Sequence, residues 1–395
     1  MPLLTSCDVC LVGLGPVGAT LAALLGASGV RTVVMERETA PYSLPRAAHL
    51  DGEALRILAH AGVRPEGPDL DGFDLVDARG RLLLRGRPAE APPPGFPAGR
   101  LIHQPSVETA LRAALAGIPS VTVRLGAEVT AVEPGASGVT VRVSPEASGD
   151  TGAGAAGGDV RAALVVGCDG AWSVVRDAMG VGLEGGGFEQ AWLVVDAVLR
   201  QRLALPDRLL QIADPHRPTT YVPFGFPRRR WEFRLRPGET PEAMTQPQTI
   251  RRLLAPHLPP EPPGLAHGAV EIERAAVYTF HDLIARRWRR GRLLLAGDAA
   301  HQMPPFLGQG LGQGIRDAWA LAPLLARVVH DGAPLATLDA YERQRRPHVA
   351  AVVRQAVRLG RLTTLPQPLA AMRDGAMGTA HRVGPLHRAL MDVRG

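Results

Sequence analysis

The stretch Arg292–Ala318, RLLLAGDAAHQMPPFLGQGLGQGIRDA, decides the fold. Its apolar residues 293–296 predict a buried strand that stops at Gly297-Asp298. A loop with two prolines follows, and alternating glycines at 308, 310, 312 and 314 then lead into a helix with an apolar period. Because doubly wound sheets bind ligands at the carboxyl ends of their strands, we expect Asp298 to accept hydrogen bonds from a polyol or a ribose.

The alternating glycines leave backbone amides uncovered. A flat or anionic group could therefore approach the start of the helix, where free N–H groups and the helix dipole favour negative charge. An ordinary strand, loop and helix joined by a flexible glycine linker has the same pattern. Taken alone, the stretch fits both interpretations.

Residues 8–36 form a second block, with the order strand, glycine turn, helix and strand of a dinucleotide-binding unit. Gly13 permits the tight turn, Gly15 lets the backbone approach a pyrophosphate, and Gly18 allows the helix to pack closely on the strand. Glu36 closes the second strand roughly 20 residues later, where an acid accepts the ribose hydroxyls of an adenosine. The block predicts an adenine dinucleotide without a 2′-phosphate, and it fits FAD and NAD equally well.

A third block, residues 164–179, predicts a buried strand that ends at Asp169 and a helix that starts near Ser173. Arg176, in the first turn of that helix, could join Asp169 in a phosphate site. The alternative is an Asp-capped helix with an exposed arginine. Arg46 is the lone arginine of the loop 41–51, and it fits a phosphate contact and a surface position equally well.

Composition limits the possible functions. The chain has 395 residues and 46% hydrophobic content, enough for two or three structural units. It has no apolar run of about 18 residues and no leader, so we expect a cytoplasmic protein without a membrane partner. All 44 basic residues are arginine, which excludes a Walker-type phosphate loop and Schiff-base chemistry.

The net charge of +6 does not predict a nucleic-acid partner. The arginines are scattered and the aromatic content is only 4%, so solvated arginines are the preferred explanation. The densest groups, 228–230 and 286–290, predict turns beside strands. The pair Cys7 and Cys10 matches CxxC, but residues three apart in an extended segment point to opposite faces. We therefore expect neither a redox pair nor a metal site.

The three blocks, in this order, resemble the class A flavoprotein monooxygenases, the aromatic hydroxylases built like p-hydroxybenzoate hydroxylase. The spellings YTFH at 278–281 and GIRDA at 314–318 are closest to the branch with 3-(3-hydroxyphenyl)propionate hydroxylase and the hydroxylases of aromatic polyketides. The resemblance covers nearly the whole chain. It implies an α/β fold, with a Rossmann-like FAD-binding domain and a mixed-sheet substrate domain.

The resemblance also implies roles for individual residues. Glu36 would bind the adenosine ribose, Asp298 would hold the ribityl chain, and Asp169 would serve FAD and the passage of NAD(P)H. Arg46 and Gln104 would line the phosphate and ribityl region. The expected FAD-binding residues are Gly13, Gly15, Pro16, Val17, Gly18, Glu36, Arg37, Arg46, Gln104, Val129, Asp169, Gly297, Asp298, Pro305, Gly308, Gly310, Leu311 and Gly312.

Two positions depart from the family's pattern. Gly312 stands where asparagine is common, and Pro323 should kink the helix about one turn after Trp319. Glycine keeps the backbone N–H but loses a side-chain anchor for the flavin. The chain ends at Gly395, so we expect it to lack the thioredoxin-like C-terminal domain of longer members.

The domains implied by the resemblance are discontinuous. They are an FAD-binding domain at 1–72, 100–184 and 278–362, a substrate-binding sheet at 73–99 and 185–277, and a C-terminal helical tail at 363–395. Within the sheet, alternation places Trp231 and Phe233 on one face and Glu232 and Arg234 on the other. Such aromatic side chains are more often core residues than a wall that stacks on the substrate.

The implied activity is an FAD-dependent, NAD(P)H-consuming monooxygenase that hydroxylates a phenolic or polyketide-type aromatic through a C4a-hydroperoxyflavin. Its partners would be a small aromatic substrate and O₂, with NADH or NADPH as co-substrate, in a monomer or homodimer. Pro304 and Pro305 would lie beside the isoalloxazine. Tyr221, His216 and His281 are candidate bases, although a structural role is preferred for each.

Other functions remain open at this point. An FAD-dependent dehydrogenase or reductase would use no O₂, and a non-catalytic flavoprotein would bind an aromatic intermediate without turnover. A flavin-dependent halogenase would need a catalytic lysine, which the chain lacks.

Overall fold

The computed structural model describes residues 5–44, 46–70, 72–86, 92–144, 158–259 and 268–382. The low-complexity hairpin tip predicted at 144–158 lies mostly outside these residues. So do parts of the loops predicted at 88–99 and 256–263, and the end of the predicted C-terminal tail.

The strands, in chain order, are β1 (Thr5–Val12), β2 (Thr32–Glu36), β3 (His49–Asp51), β4 (Phe73–Val76), β5 (Leu82–Gly86), β6 (Gly99–Leu101), β7 (Val121–Leu125), β8 (Val129–Pro134), β9 (Val139–Val143), β10 (Val160–Gly167), β11 (Leu183–Leu199), β12 (Leu209–Ile212), β13 (Thr219–Val222), β14 (Arg228–Arg234), β15 (Val270–Ala285), β16 (Arg289–Arg290), β17 (Leu293–Leu295) and β18 (His301–Gln302). The helices are α1 (Pro16–Ala27), α2 (Gly52–His60), α3 (Gln104–Leu115), α4 (Val174–Ala178), α5 (Pro241–Met244), α6 (Pro247–Leu254), α7 (Gly310–His330), α8 (Asp339–Thr363) and α9 (Leu369–Arg382).

The first sheet has the order β16-β17-β10-β1-β2-β7, and its strands from β17 to β7 are parallel. β1 and β10 are apolar and mostly buried, as expected for the centre of a parallel sheet. The carboxyl ends of β1, β10 and β17 therefore meet at one edge, and each of the three predicted motifs follows one of these strands. This arrangement confirms the predicted Rossmann-like domain.

The second sheet has the order β18-β15-β11-β14-β13-β12-β4-β5 and is mixed, because β12 and β4 are parallel while the other neighbours are antiparallel. Its two longest strands, β11 and β15, pair along nearly their whole length. A bulge interrupts the pairing between Gly185 and Glu189. The Asp282 carboxylate stabilises the bulge, accepting hydrogen bonds from the Gly186 and Phe188 amides, each at 2.9 Å.

One face of the second sheet packs on α5 and α6. Trp231 and Phe233 lie in this core with Met244 and Ile250, which confirms the preference for core over a substrate wall. The turn predicted at 228–230 is wrong, because these arginines lie in β14. Arg230 is 1% exposed and donates from Nε to Asp196 Oδ1 at 2.7 Å, so the arginine run forms part of the sheet.

A local difference from the sequence prediction occurs at the start of helix α3. We predicted that α3 would begin after a Ser106 cap, but it begins at Gln104 because Pro105 suits the first helical turn. The Ser106 hydroxyl instead contacts His103 Nδ1 at 2.8 Å. Helix α7 contains Pro323 and ends at His330, and the kink expected at this proline stays a prediction.

The cysteine pair lies in β1, where both side chains are buried. Burial raises the pKa of Cys7 to about 12 and that of Cys10 well above its ordinary value. Thiols held neutral in this way make poor redox or metal-binding groups. Among the described residues, no helix combines the length and apolarity that crossing a membrane requires.

Candidate active site

The glycine turn after β1 has the geometry that the sequence predicted. Gly13 has a positive φ of 99°, and a Cβ there would lie 2.4 Å from the Cys168 carbonyl oxygen. A Cβ on Gly18 would lie 2.1 Å from the Gly13 carbonyl oxygen, so helix α1 packs directly on the turn. In contrast, a Cβ on Gly15 would meet no atom within 4 Å. The turn is therefore closely packed inside the protein and open on the side of Gly15.

The open side of the turn is where helix α1 begins. Pro16 occupies the first turn, and no side chain caps the helix at Gly15. Its first amides are consequently free to bind an anion. Val17 has a different role, because a Cβ on Gly314 of α7 would lie 2.5 Å from its Cγ2 atom. Val17 thus packs the first motif against the third.

Glu36 lies at the end of β2, beside the glycine turn. Its Oε2 accepts a hydrogen bond from the Leu14 amide at 2.7 Å. Ala127 donates its amide to the Glu36 carbonyl at 2.8 Å, which brings the start of β8 and the buried Val129 close to this point. Arg37 is exposed and pairs with Glu38 at 3.3 Å. The carboxylate of Glu36 therefore lies near the open side of the turn.

The second motif differs from both predicted alternatives. Ser173 caps α4, accepting from the Arg176 amide at 3.0 Å, and Asp169 Oδ2 accepts from the Val175 amide at 3.2 Å. Arg176 is 7% exposed, so it is neither a surface residue nor free to hold a phosphate. Its guanidinium donates to the Ala171 and Ala299 carbonyls at 2.8 and 3.2 Å. Arg176 thereby joins the second motif to the third.

Asp298 follows β17 and is exposed to solvent. Nevertheless, desolvation by the surrounding protein raises its pKa, and the charges of His301 and Arg46 oppose this shift. A carboxylate that is open to solvent yet closely surrounded lies in a cleft. Asp169, which desolvation also gives a raised pKa, lies at the end of the neighbouring strand β10.

A buried ion network holds the turn that carries Asp298. Asp317 is fully buried and accepts hydrogen bonds from the Gly297 amide at 3.1 Å, His301 Nε2 at 2.6 Å and Arg345 Nε at 2.9 Å. Burial alone would raise the pKa of Asp317, but the His301 ring and the Arg345 guanidinium together hold it below its ordinary value. Sequence reasoning missed this network, although Asp317 belongs to the quoted GIRDA segment.

The loop that carries Arg46 is held in place by Gln104. The buried Gln104 side chain accepts from the Ala47 amide at 2.7 Å and donates to Glu108 Oε1 at 2.8 Å. Arg46 itself is exposed, with its guanidinium 4.6 Å from the centre of the Tyr42 ring. Gln104 therefore positions the loop, and Arg46 is the residue free to meet a ligand.

The glycine-rich start of α7 is also uncapped by any side chain. Gly308 has a φ of 63°, and Gly310 begins the helix with the half-buried Leu311 after it. A Cβ on Gly312 would lie 3.2 Å from Arg316 Nη1. Arg316 pairs with Asp51 at 2.8 Å, so this ion pair occupies the space beside Gly312. Glycine at position 312, where the family commonly has asparagine, therefore lies beside the Arg316–Asp51 ion pair.

The second sheet covers the segment before α7. Pro304 is buried and Pro305 is half-buried. Phe306, which follows them, packs edge-on against Trp192 and Phe188 of β11, with ring centres 5.5 and 5.9 Å apart. The two prolines therefore lie next to the point where the second sheet packs on this segment.

Tyr221 does not face the cleft, which corrects its placement as a candidate reaction-site residue. It packs on Trp231 in the core beneath α5 and α6, and its hydroxyl donates to the Pro206 carbonyl at 2.9 Å. Burial raises the pKa of Tyr221 to about 12, so the phenol stays protonated at neutral pH. His216 is exposed, and His281 lies 3.8 Å from Glu189.

The three motifs thus converge on one cleft. The uncapped first turns of α1 and α7 and the carboxylates of Glu36 and Asp298 lie at its edge. No group of three His, Cys, Asp or Glu side chains among the described residues is arranged to hold a metal ion. The open space at Gly15, the exposed Asp298 and the uncapped starts of α1 and α7 fit an elongated dinucleotide with a polyol chain. FAD has both of these parts.

Comparison with known proteins agrees with this geometry. A family model described as an FAD binding domain matches residues 6–356. A probable NADH-specific resorcinol 4-hydroxylase of Rhodococcus jostii is 38% identical over 95% of this chain and 69% of its own length. A 3-(3-hydroxy-phenyl)propionate/3-hydroxycinnamic acid hydroxylase of Mycobacterium sp. is also 38% identical, over 99% of this chain and 66% of its own length. The chain thus spans about two thirds of the length of these relatives.

Among solved structures, p-nitrophenol 4-monooxygenase from Pseudomonas putida has the same fold. It aligns with a TM-score of 0.83 and 26% identity, over 98% of this chain and 97% of its own. Fold, motifs and relatives lead to one conclusion: the chain belongs to the FAD-binding-domain family of flavin-dependent aromatic hydroxylases.

Proposed function

We propose that this chain hydroxylates a small phenol, with FAD as its bound cofactor, O₂ as the oxygen source and NADH as the reductant. The convergence of the three motifs on one cleft, roofed by the second sheet at Phe306, carries the proposal. The names of the relatives support a phenolic substrate, and one of them supports NADH. Each turnover would convert a ring C–H to C–OH while NADH and O₂ yield NAD⁺ and water.

Residues of this chain would hold the cofactor along the cleft. The α1 amides at Gly15 would bind the pyrophosphate, Glu36 the adenosine ribose, and Asp298 the ribityl hydroxyls. When bound, reduced FAD supplies the activation of O₂. The protein must exclude water and hold the ring of the substrate near Pro304 and Pro305. No nucleophilic side chain is needed for this chemistry.

The activity is tested by supplying NADH and resorcinol to the FAD-loaded protein. We expect NADH and O₂ to be consumed in equal amounts, with one hydroxyl group added to resorcinol, as measured by an oxygen electrode and mass spectrometry. 1,3-Dimethoxybenzene, which lacks a hydroxyl, is the control and should give no product. Consumption of NADH without O₂ uptake would instead identify a reductase and would contradict the proposal.

The position of the ribityl chain is tested by Asp298→Asn. Loss of a carboxylate acceptor should weaken FAD binding roughly tenfold or more, because a hydrogen bond to a charged group contributes about 1.5 to 3 kcal/mol. Titration of the apoprotein with FAD, followed by flavin fluorescence, measures the change. Asp331→Asn, at an exposed residue after α7, is the matched control. Equal affinity of both variants for FAD would place the ribityl chain elsewhere.

A further inference from the structure

The cleft-side face of the second sheet carries a row of buried polar side chains. Strand register places Gln211, Thr220 and Glu232 next to one another on β12, β13 and β14. Thr220 Oγ1 donates to Gln211 Oε1 at 2.9 Å, so these two side chains bind each other. The Glu232 side chain, which is 10% exposed, has no hydrogen-bond partner among the described residues. Its nearest cation is Arg230, with Nη1 3.8 Å from Oε1.

Two contacts to the FAD-binding half show where Glu232 points. Arg230, two residues earlier in β14, donates from Nη1 to the Arg46 carbonyl at 2.7 Å. Trp192 of β11, which pairs with the residue two positions after Glu232, packs on Phe306. Because residues two apart in a strand share a face, Glu232 lies on the same face as these two contacts and between them. Its side chain is therefore directed to the region between the Arg46 loop and the segment that carries Pro304 and Pro305.

We propose that Glu232 is the residue that accepts the hydroxyl proton of the phenol substrate, an inference that rests on the proposed function. The phenol O–H bond breaks and a carboxyl O–H bond forms on Glu232, with no change in oxidation state. The ring gains electron density next to the oxygen, where an electrophilic oxygen donor attacks. Glu232 is thereby a catalytic residue.

The charges around Glu232 suit this transfer. Arg230 lies on its own strand, Asp196 on β11 and Arg274 on β15, while β12 and β13 present the uncharged Gln211 and Thr220 in its row. Arg230 and Arg274 both pair with Asp196, at 2.7 and 2.9 Å. With Glu232 ionised, these four side chains sum to zero charge. Once Glu232 takes the proton they carry one positive charge, which stabilises a phenolate.

The same surroundings set the expected pH dependence. Burial raises the pKa of Glu232, Asp196 adds to the shift, and Arg230 and Arg274 oppose it. Only the ionised carboxylate can accept a proton. The rate of hydroxylation should therefore rise with pH as Glu232 ionises, and this rise should occur above the ordinary range of a glutamate.

The first experiment measures binding by the FAD-loaded protein, which separates this inference from catalysis. Resorcinol and 1,3-dimethoxybenzene are titrated, and the flavin absorbance change gives each Kd. Glu232→Gln should weaken resorcinol binding roughly tenfold or more and leave the dimethoxy compound unaffected. The control Glu271→Gln, at an exposed glutamate 3.3 Å from Arg200 in the same sheet, should behave as the parent. Equal losses for both ligands, or no loss for either, would overturn the inference.

The second experiment follows kcat against pH for the variants. Glu232→Gln should lose the rise on the acid side, whereas Glu232→Asp should keep it at a lower kcat because the carboxylate lies one methylene farther away. An unchanged profile in Glu232→Gln would reject the proton transfer. If the parent protein binds resorcinol but forms no hydroxylated product, the proposed function fails. The binding experiment would still decide whether Glu232 meets the hydroxyl.

Discussion

Replacing Gly18 by alanine should give a protein that no longer retains FAD. The added Cβ would lie 2.1 Å from the Gly13 carbonyl oxygen, and backbone cannot move aside as a flexible side chain can. Helix α1 must therefore shift away from the turn, at a cost of about 1 to 3 kcal/mol or more. Urea unfolding and the FAD content after gel filtration measure the two effects.

The variant Gly15→Ala separates an effect on FAD binding from an effect on the packing of the turn. The residue has ordinary dihedral angles, φ −63° and ψ 178°, and its Cβ would meet no protein atom within 4 Å. We expect the apoprotein to keep the parent's unfolding free energy while its affinity for FAD falls roughly tenfold or more, because the methyl group would fill the space of the pyrophosphate. Full FAD affinity in Gly15→Ala would show that the pyrophosphate binds away from this turn.

Asp317→Asn should lower the unfolding free energy by about 3 to 5 kcal/mol, because it leaves buried Arg345 without its counter-charge. The amide can replace one oxygen acceptor but not the negative charge shared by His301 and Arg345. With the amide oxygen facing Arg345, the amide nitrogen stands at the former Oδ2 position and gives the Gly297 amide no acceptor, so the turn that carries Asp298 should loosen. Urea unfolding of the FAD-saturated and the apo protein measures both consequences.

Asp339→Asn provides the comparison for this prediction. Asp339 pairs with Arg289 but is 41% exposed, and surface pairs contribute about 0 to 1 kcal/mol. Acid titration adds a second measurement. A carboxylate with a lowered folded-state pKa stabilises the fold above its unfolded-state pKa, and this stability is lost as the pH falls through the folded-state value. Asp317→Asn should remove that part of the acid dependence, and an unchanged acid profile would refute the role given to Asp317.

The glycine turn could be predicted from sequence because its cause is local. The spacing of Gly13, Gly15 and Gly18 between a strand and a helix fixes which glycine packs and which stays open. The strand ends at Asp169 and Asp298 were predictable for the same reason. In each case an apolar run followed by a carboxylate marks the edge of a parallel sheet.

The interactions between motifs could not be predicted in this way. Arg345 lies in α8, far along the chain from His301, and no spacing rule joins them through Asp317. A run of three arginines suggested a solvated turn, yet strand alternation buries Arg230 against Asp196. Alternation placed Glu232 on the face opposite Trp231 and Phe233, but it could not show that this face is covered by the FAD-binding half of the protein.

The strands β11 and β15 affect how a ligand can enter. Their hydrogen-bonded ladder runs into the sheet that covers the cleft and is interrupted by two register shifts, one between Gly185 and Glu189 and one between Asp196 and Ala197. Asp282 stabilises the first of these two irregularities. Opening of the cleft by rotation of the second sheet would need a flexible hinge at the bulge between Gly185 and Glu189. The Asp282 carboxylate instead holds two backbone amides of this bulge. We therefore expect ligands to enter and leave the cleft beside the loop that carries Tyr42 and Arg46, while β11 and β15 keep their position.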